Sequence, residues 1–170
     1  MSTDSNDITR PEGFRRVSAA LADKGHSREP LWLEATARTS QEAADALAVS
    51  LGQIAKSVVF RRKEDDAAVL VIASGDRRVD EKKLKVHTGP LGRADADYVK
   101  ARTGFSIGGV SPLGFAPVDG HALPHLFIDR ELFRFDTVWA AAGHPNGVFP
   151  MTPEELVALT GAPVIDVVRD

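Results

Sequence analysis

The sequence predicts an α+β fold with a mixed sheet, and three observations carry that prediction. Helical and strand patterns both occur, but without regular βαβ alternation. Ala68–Ala73 is an almost unbroken apolar run, which fits a strand buried on both faces. Thr39-Ser-Gln-Glu42 and Thr152-Pro-Glu-Glu155 both fit the capping box that opens a helix, in which hydroxyl and carboxylate satisfy two free amides.

Residues 1–13 are polar at the start and read as a flexible segment, and 14–170 as one domain. Phe14, Val17 and Leu21 recur at helical spacing, with Pro11 and Glu12 suited to the start and Gly25 to the stop. Leu31–Glu34 reads as a short strand. The helix opened by Thr39 runs through an alanine-rich stretch to about Ser50. Ile54–Phe60 and 68–73 form a hairpin around Asp65-Asp66. Residues 79–86 and 94–103 read as helices, the second stopped by Gly104. Phe105–Gly120, rich in glycine and proline, reads as a shaped loop. Strands are expected at 126–129, 138–142, 148–149 and 164–168, with a turn at His144–Gly147 and a helix at 153–160.

Composition removes several function classes. The chain has 170 residues, enough for one domain with a real core. With no cysteine there is no disulfide framework, thiolate nucleophile or Cys-ligated zinc. No apolar run approaches the roughly 20 residues of a membrane helix, and Met1–Arg10 has no apolar signal region. A cytoplasmic protein without membrane association is therefore expected. The net charge is −3. Lys56–Lys85 nevertheless holds nine basic and six acidic residues, a local charge of +3. Such a face either steers a polyanion or is ordinary solvated surface.

Four stretches can carry chemistry. Lys56 interrupts an apolar strand, so it either snorkels to water or works in a pocket, and Ser57 beside it reads as part of a polar, solvated stretch. In Gly108-Gly109-Val110-Ser111-Pro112, glycines let backbone amides approach a carbonyl or phosphate oxygen, or simply make a turn. In Ser74-Gly-Asp-Arg-Arg-Val-Asp80, Asp76 or Asp80 can cap a helix, and Arg77 and Arg78 can meet phosphates. His144, in Ala142-Gly-His-Pro-Asn-Gly147, is an acid–base candidate or a turn residue. Without GK[ST], a phosphate-cradling NTPase loop is excluded; without G-x-S-x-G, a serine hydrolase is disfavoured. Histidines lack zinc-ligand spacing, so no metal site is expected.

In this order and spacing, the four stretches resemble the YbaK/EbsC family, the relatives of the prolyl-tRNA synthetase editing domain. The resemblance covers roughly residues 15–168. It implies a single α+β domain on a mixed, partly barrel-like sheet. It also implies hydrolysis of the ester joining a wrong amino acid to tRNA, chiefly tRNA(Pro), without metal or other cofactor. Different branches clear alanine, cysteine, serine, threonine or non-protein amino acids. Lys56 matches the family's essential lysine. Gly108 and Pro112 match the ends of its G-x-x-x-P loop, whose amides, here Gly109 to Ser111, hold the substrate carbonyl. Asp76, Arg77, Lys82, Asp129 and His144 are expected on the substrate side. Val110, Phe105, Phe115 and Leu113 either line the pocket or belong to the core. Aminoacyl-tRNA is the implied partner, with prolyl-tRNA synthetase a further candidate and DNA not expected. Leu31–Thr36 departs from the alanine-editing branch in lacking a histidine-containing strand. A non-catalytic module of the same fold, binding aminoacyl-tRNA or a small ligand, is the alternative.

Overall fold

A computed structural model describes residues 10–35 and 37–170. Most of the segment expected to be flexible, and Thr36, lie outside the described residues; Glu12 and Gly13 already belong to the first helix. That helix, α1 (Glu12–Asp23), buries Phe14, Val17 and Leu21, the three residues its spacing marks. It leads to β1 (Leu31–Trp32), shorter than expected, with Leu33 N–H extending the approach to the next segment by donating to the carbonyl of Asn146. Next, α2 (Ser40–Leu47) starts at the expected capping box and ends three residues early, where Ala48 turns left-handed at φ 56°. Ala48 is followed by a 3₁₀ turn (Leu51–Gln53). The hairpin is β2 (Ile54–Arg62) and β3 (Ala68–Ser74).

Then α3 (Glu81–Thr88) begins two residues later than expected, because the Asp80 carboxylate caps it at Lys82 N–H. β4 (Leu91–Arg93) has no counterpart in the sequence reading, being too short to show a period. It is followed by α4 (Ala96–Thr103), β5 (His125–Asp129) and a 3₁₀ turn (Arg130–Arg134). β6 (Val138–Ala141), β7 (Gly147–Met151), α5 (Pro153–Thr160) and β8 (Val164–Ile165) complete the chain. The last strand is two residues long rather than five, and Val168 instead forms an isolated bridge with Val79.

Among the described residues, eight strands form one mixed sheet in the order β1-β7-β6-β2-β3-β5-β8, with β4 also pairing with β2. The path is open, so the partly barrel-like expectation narrows to a mixed sheet that does not close, with five flanking helices among the described residues. Every residue of β3 is buried. Its Leu70 and Ile72 join α1, α5 and Phe149 in the main core. Its Val69, Val71 and Ala73 pack with Leu84 of α3 and with Val167 on the other face. Burying each such aliphatic side chain contributes about 1.5–3 kcal/mol, which makes β3 the mechanical centre. A smaller cluster (Ala37, Ala43, Ala44 and Ile54) seats α2 over the start of β2. Among the described residues no helix is long and apolar enough to cross a membrane.

Candidate functional site

The site begins with how β2 is paired. One edge of β2 runs antiparallel to β3 from Ala55 to Arg61. The other edge is shared: β6 pairs in parallel with Ile54 and Ala55, and β4 pairs with Phe60 to Arg62. Among the described residues, Lys56 to Val59 have no ladder partner on that second edge. The sheet is split there, and a cleft of about 220 Å³ opens at the split. Ile54–Ser57 form its floor, and Ala37–Ser40 with Ala43 form the α2 wall. Trp139–Ala141, Pro145, Gly147 and Val148 form the β6–β7 wall, and Gly108 and Val110 reach in from the glycine loop.

Lys56 is half-buried, and its ammonium donates to the Arg77 carbonyl at 2.6 Å. Burial pushes its pKa below the usual lysine value, Asp76 and Asp129 pull it back up, and Arg78 adds to the drop. The amine is thus tied to a backbone carbonyl of the Ser74–Asp80 stretch. Ser57 departs from its reading. Its Oγ is buried and has no hydrogen-bond partner among the described residues.

The glycine loop is held by two close backbone approaches. A turn over Ser106–Gly109 is closed by Gly109 N–H donating to the Ser106 carbonyl at 3.0 Å, with Gly108 at φ +90°. A Cβ on Gly109 would lie 2.8 Å from His144 Cα and 2.9 Å from its nitrogen. The loop therefore lies flat against the His144–Gly147 turn. Since the Gly109 amide closes this turn, the loop amides without an acceptor among the described residues are those of Gly108, Val110 and Ser111. Ser111 and Pro112 are buried and do not line the cleft, and Ser111 Oγ accepts weakly from Leu113 N–H at 3.4 Å. Of the four expected pocket-or-core residues only Val110 lines the cleft; Phe105 and Leu113 are core, and Phe115 packs against it.

His144 stacks on Trp32 with ring centroids 4.9 Å apart, and the Arg10 guanidinium lies 4.5 Å from the same indole. Its Nδ1 accepts from Asn146 N–H at 3.0 Å, and burial lowers its pKa. In this arrangement His144 shapes the turn that carries Pro145 and Gly147 to the cleft.

The remaining candidates lie off the cleft. Asp129 is fully buried and accepts from Ser74 N–H (3.0 Å) and Glu131 N–H (2.9 Å). Burial raises its pKa against those two bonds. Asp76 accepts from Arg134 at 2.7 Å and from Ser74 Oγ at 3.0 Å, and chiefly the guanidinium bond holds its carboxyl below the usual range. Arg77 pairs with Glu131 at 3.3 Å. Together Asp76, Arg77, Arg78, Arg130 and Glu131 border a second hollow. Lys82 is exposed on α3 and borders neither. Among the described residues Arg61, Arg62, Arg77 and Lys83 are neutralised by ion pairs, so Lys63, Arg78, Lys82 and Lys85 are the uncommitted cations of the basic segment.

Sequence reasoning missed Arg134, Trp139 and the Ala37–Ala43 wall. Arg134 sits in a short 3₁₀ turn without periodicity, and the wall depends on tertiary packing. A tryptophan in a short strand before Ala140-Ala141 was the one available signal for Trp139.

Residues 34–159 match the sequence profile of the aminoacyl-tRNA editing domain. The chain is 39% identical over 139 residues to the uncharacterized protein YwhH of Bacillus subtilis (strain 168), covering 81% of this chain and 85% of that one. It is also 39% identical over 79 residues to a proline–tRNA ligase of Kosmotoga olearia, covering 45% of this chain and 13% of the ligase. A solved structure of a proposed trans-editing enzyme for prolyl tRNA synthetase superposes with a TM-score of 0.84 at 39% identity, covering 95% of this chain and all of that one.

Proposed function

The chain belongs to the family of aminoacyl-tRNA editing domains, and from that premise we propose that it acts in trans to hydrolyse mischarged aminoacyl-tRNA. The substrate we assign is tRNA(Pro) carrying a small non-cognate amino acid. The observation that carries this reading is the meeting of Lys56 with Gly108 and Val110 at one split in the sheet.

Water adds to the ester carbonyl, the bond from carbonyl carbon to ribose oxygen breaks, and a free amino acid and an uncharged tRNA leave. Negative charge develops on the carbonyl oxygen. The Val110 amide, with Gly108 beside it, is the donor we assign to that oxygen; removal of one such donor costs about 3–4 kcal/mol in comparable sites. Lys56 orients the terminal ribose or phosphate, or polarises the water, as a cation at the floor. A terminal ribose hydroxyl can assist the water, so no protein nucleophile is required. Arg38, at the amino end of α2, meets the phosphates at the mouth. Trp139 offers a ring to the terminal base. Prolyl-tRNA synthetase is the natural source of the mischarged substrate, and the cytoplasm the place of action.

The test is deacylation of tRNA(Pro) charged separately with alanine, cysteine, serine and 2-aminobutyrate. Lys56→Ala should lose about 100-fold or more in rate while keeping the wild-type melting temperature. Stoichiometric binding without turnover, by a folded wild-type chain, would instead identify a binding module.

A further inference from the structure

Among the described residues the Lys56 ammonium rests on a backbone carbonyl, that of Arg77, and forms no ion pair. Charged groups nevertheless surround it. Asp76 and Asp129 attract it, Arg78 repels it, and Arg38 lines the same cleft from α2. Asp76 acts on it more strongly than Asp129 does and immediately precedes Arg77 in the turn that holds it. A carboxylate is a stronger acceptor for an ammonium than a neutral carbonyl, so an unoccupied Asp76 would compete for Lys56.

Asp76 is occupied by Arg134, which comes from the 3₁₀ turn after β5. The guanidinium donates to both Asp76 oxygens, at 2.7 and 3.2 Å, and to Ser74 Oγ at 2.8 Å. Its Nε donates to the Glu131 carbonyl at 2.7 Å, which fixes the base of the side chain. Ser74 is held in turn by Oγ donating to the Gly52 carbonyl at 2.5 Å, and its own carbonyl accepts from Arg77 N–H at 3.0 Å. Arg134 therefore pins the turn that presents the Arg77 carbonyl to Lys56. The other carboxylates nearby are spent: Asp129 on the Ser74 and Glu131 amides, and Glu131 on Arg77. Arg134 itself does not line the cleft, so it reaches Lys56 only through Asp76 and this turn.

We infer that Arg134 is a positioning residue for Lys56: by holding Asp76 in a two-point ion pair it keeps that carboxylate from capturing the ammonium, which stays on the Arg77 carbonyl at the floor of the cleft. The inference rests on the role given to Lys56 in the deacylase reading above and adds the residue on which that role depends. Without Arg134, Asp76 carries an uncompensated charge near the ammonium. That charge makes Lys56 harder to deprotonate and draws it off the carbonyl. Removing the Asp76 charge as well removes the cause, so the two side chains form a double-mutant cycle read at a third.

The experiment titrates the Lys56 amine through its Cε signal in NMR, assigned by its loss in Lys56→Ala, and measures deacylation alongside. Wild type, Arg134→Ala, Asp76→Asn and the double variant are compared. Arg134→Ala should raise the Lys56 pKa and slow deacylation about tenfold or more, as a displaced group does. Adding Asp76→Asn should bring the pKa back to the wild-type value or below and recover most of the rate. Asp76→Asn should also shift the Lys56 pKa more in the Arg134→Ala background than in wild type. Equal shifts in the two backgrounds overturn the inference. So does a double variant no faster than Arg134→Ala, the result expected if Arg134 serves only by packing on Phe135. Arg134→Lys, which keeps a charge facing Asp76, covers an alanine variant that does not fold: its Lys56 pKa should stay near wild type, and a clear rise overturns the inference. Absence of turnover by wild type would overturn the deacylase reading, and the NMR cycle would still decide whether Arg134 shields Lys56 from Asp76.

Discussion

At the scale of single residues, the carboxylates around the site divide by environment. The bond from Arg134 keeps Asp76 ionised to lower pH than an ordinary aspartate. A depressed folded pKa contributes stability above the unfolded value, which is lost as pH falls through the folded one. Asp129 has the opposite sign: burial raises its pKa, so above that raised value ionisation costs stability, and protonation relieves the cost. Arg134→Ala should therefore lower the melting temperature at about pH 7, and that loss should shrink as the pH falls through the depressed range in which Asp76 takes up its proton. Thermal melts of both proteins across a series of acid pH values decide this; a loss that stays constant down the series would show that Arg134 acts through packing on Phe135 instead. Lys56 was legible from sequence, as a lysine where a strand wanted an apolar residue. Ser57 was misread, because adjacent residues in a strand face opposite ways and the sequence does not say which edge is left open.

At the scale of elements, the capping boxes of α2 and α5 and the buried run of β3 were legible because their determinants are local in sequence. β4, the 3₁₀ turns and the true lengths of β7 and β8 were not, since pairing across the sheet sets them. The glycine loop shows both sides of this. Gly108 supplies a left-handed turn that the sequence pattern announces. Gly109 is needed for a reason visible only in three dimensions, namely the backbone of His144 against it. Gly109→Ala should push the loop off the His144 turn and cost about 1–3 kcal/mol of stability, by analogy with overpacked cores. It should also slow deacylation, through displacement of the Val110 amide. Gly108→Ala, with its nearest neighbour Pro145 Cγ at 3.6 Å, meets backbone strain rather than a clash and should destabilise less. Denaturant unfolding of the two variants should rank them in that order.

At the scale of the molecule, a chain of net charge −3 presents a small group of uncommitted cations on and beside α3. Neutralising Lys82 and Lys85 together should raise KM for aminoacyl-tRNA severalfold at low salt and leave kcat unchanged, with the difference closing as salt rises. A kcat effect would place these lysines closer to the chemistry than their exposure allows. The backbone of α1 at Gly13 lies so close to the Gly143 carbonyl that a Cβ at either position would clash, and this seating carries a different consequence. It joins α1 to a turn far along the sequence, and that turn supports both the glycine loop and one wall of the cleft. The β2–β3 hairpin can close early, because its contacts are local. The cleft cannot, since its walls come from four separated stretches and its support spans most of the chain. The cleft is therefore completed only with the long-range contacts that also complete the main core, and the loop-closure entropy of the longest contact is met when the collapsed sheet has already brought the distant segments together.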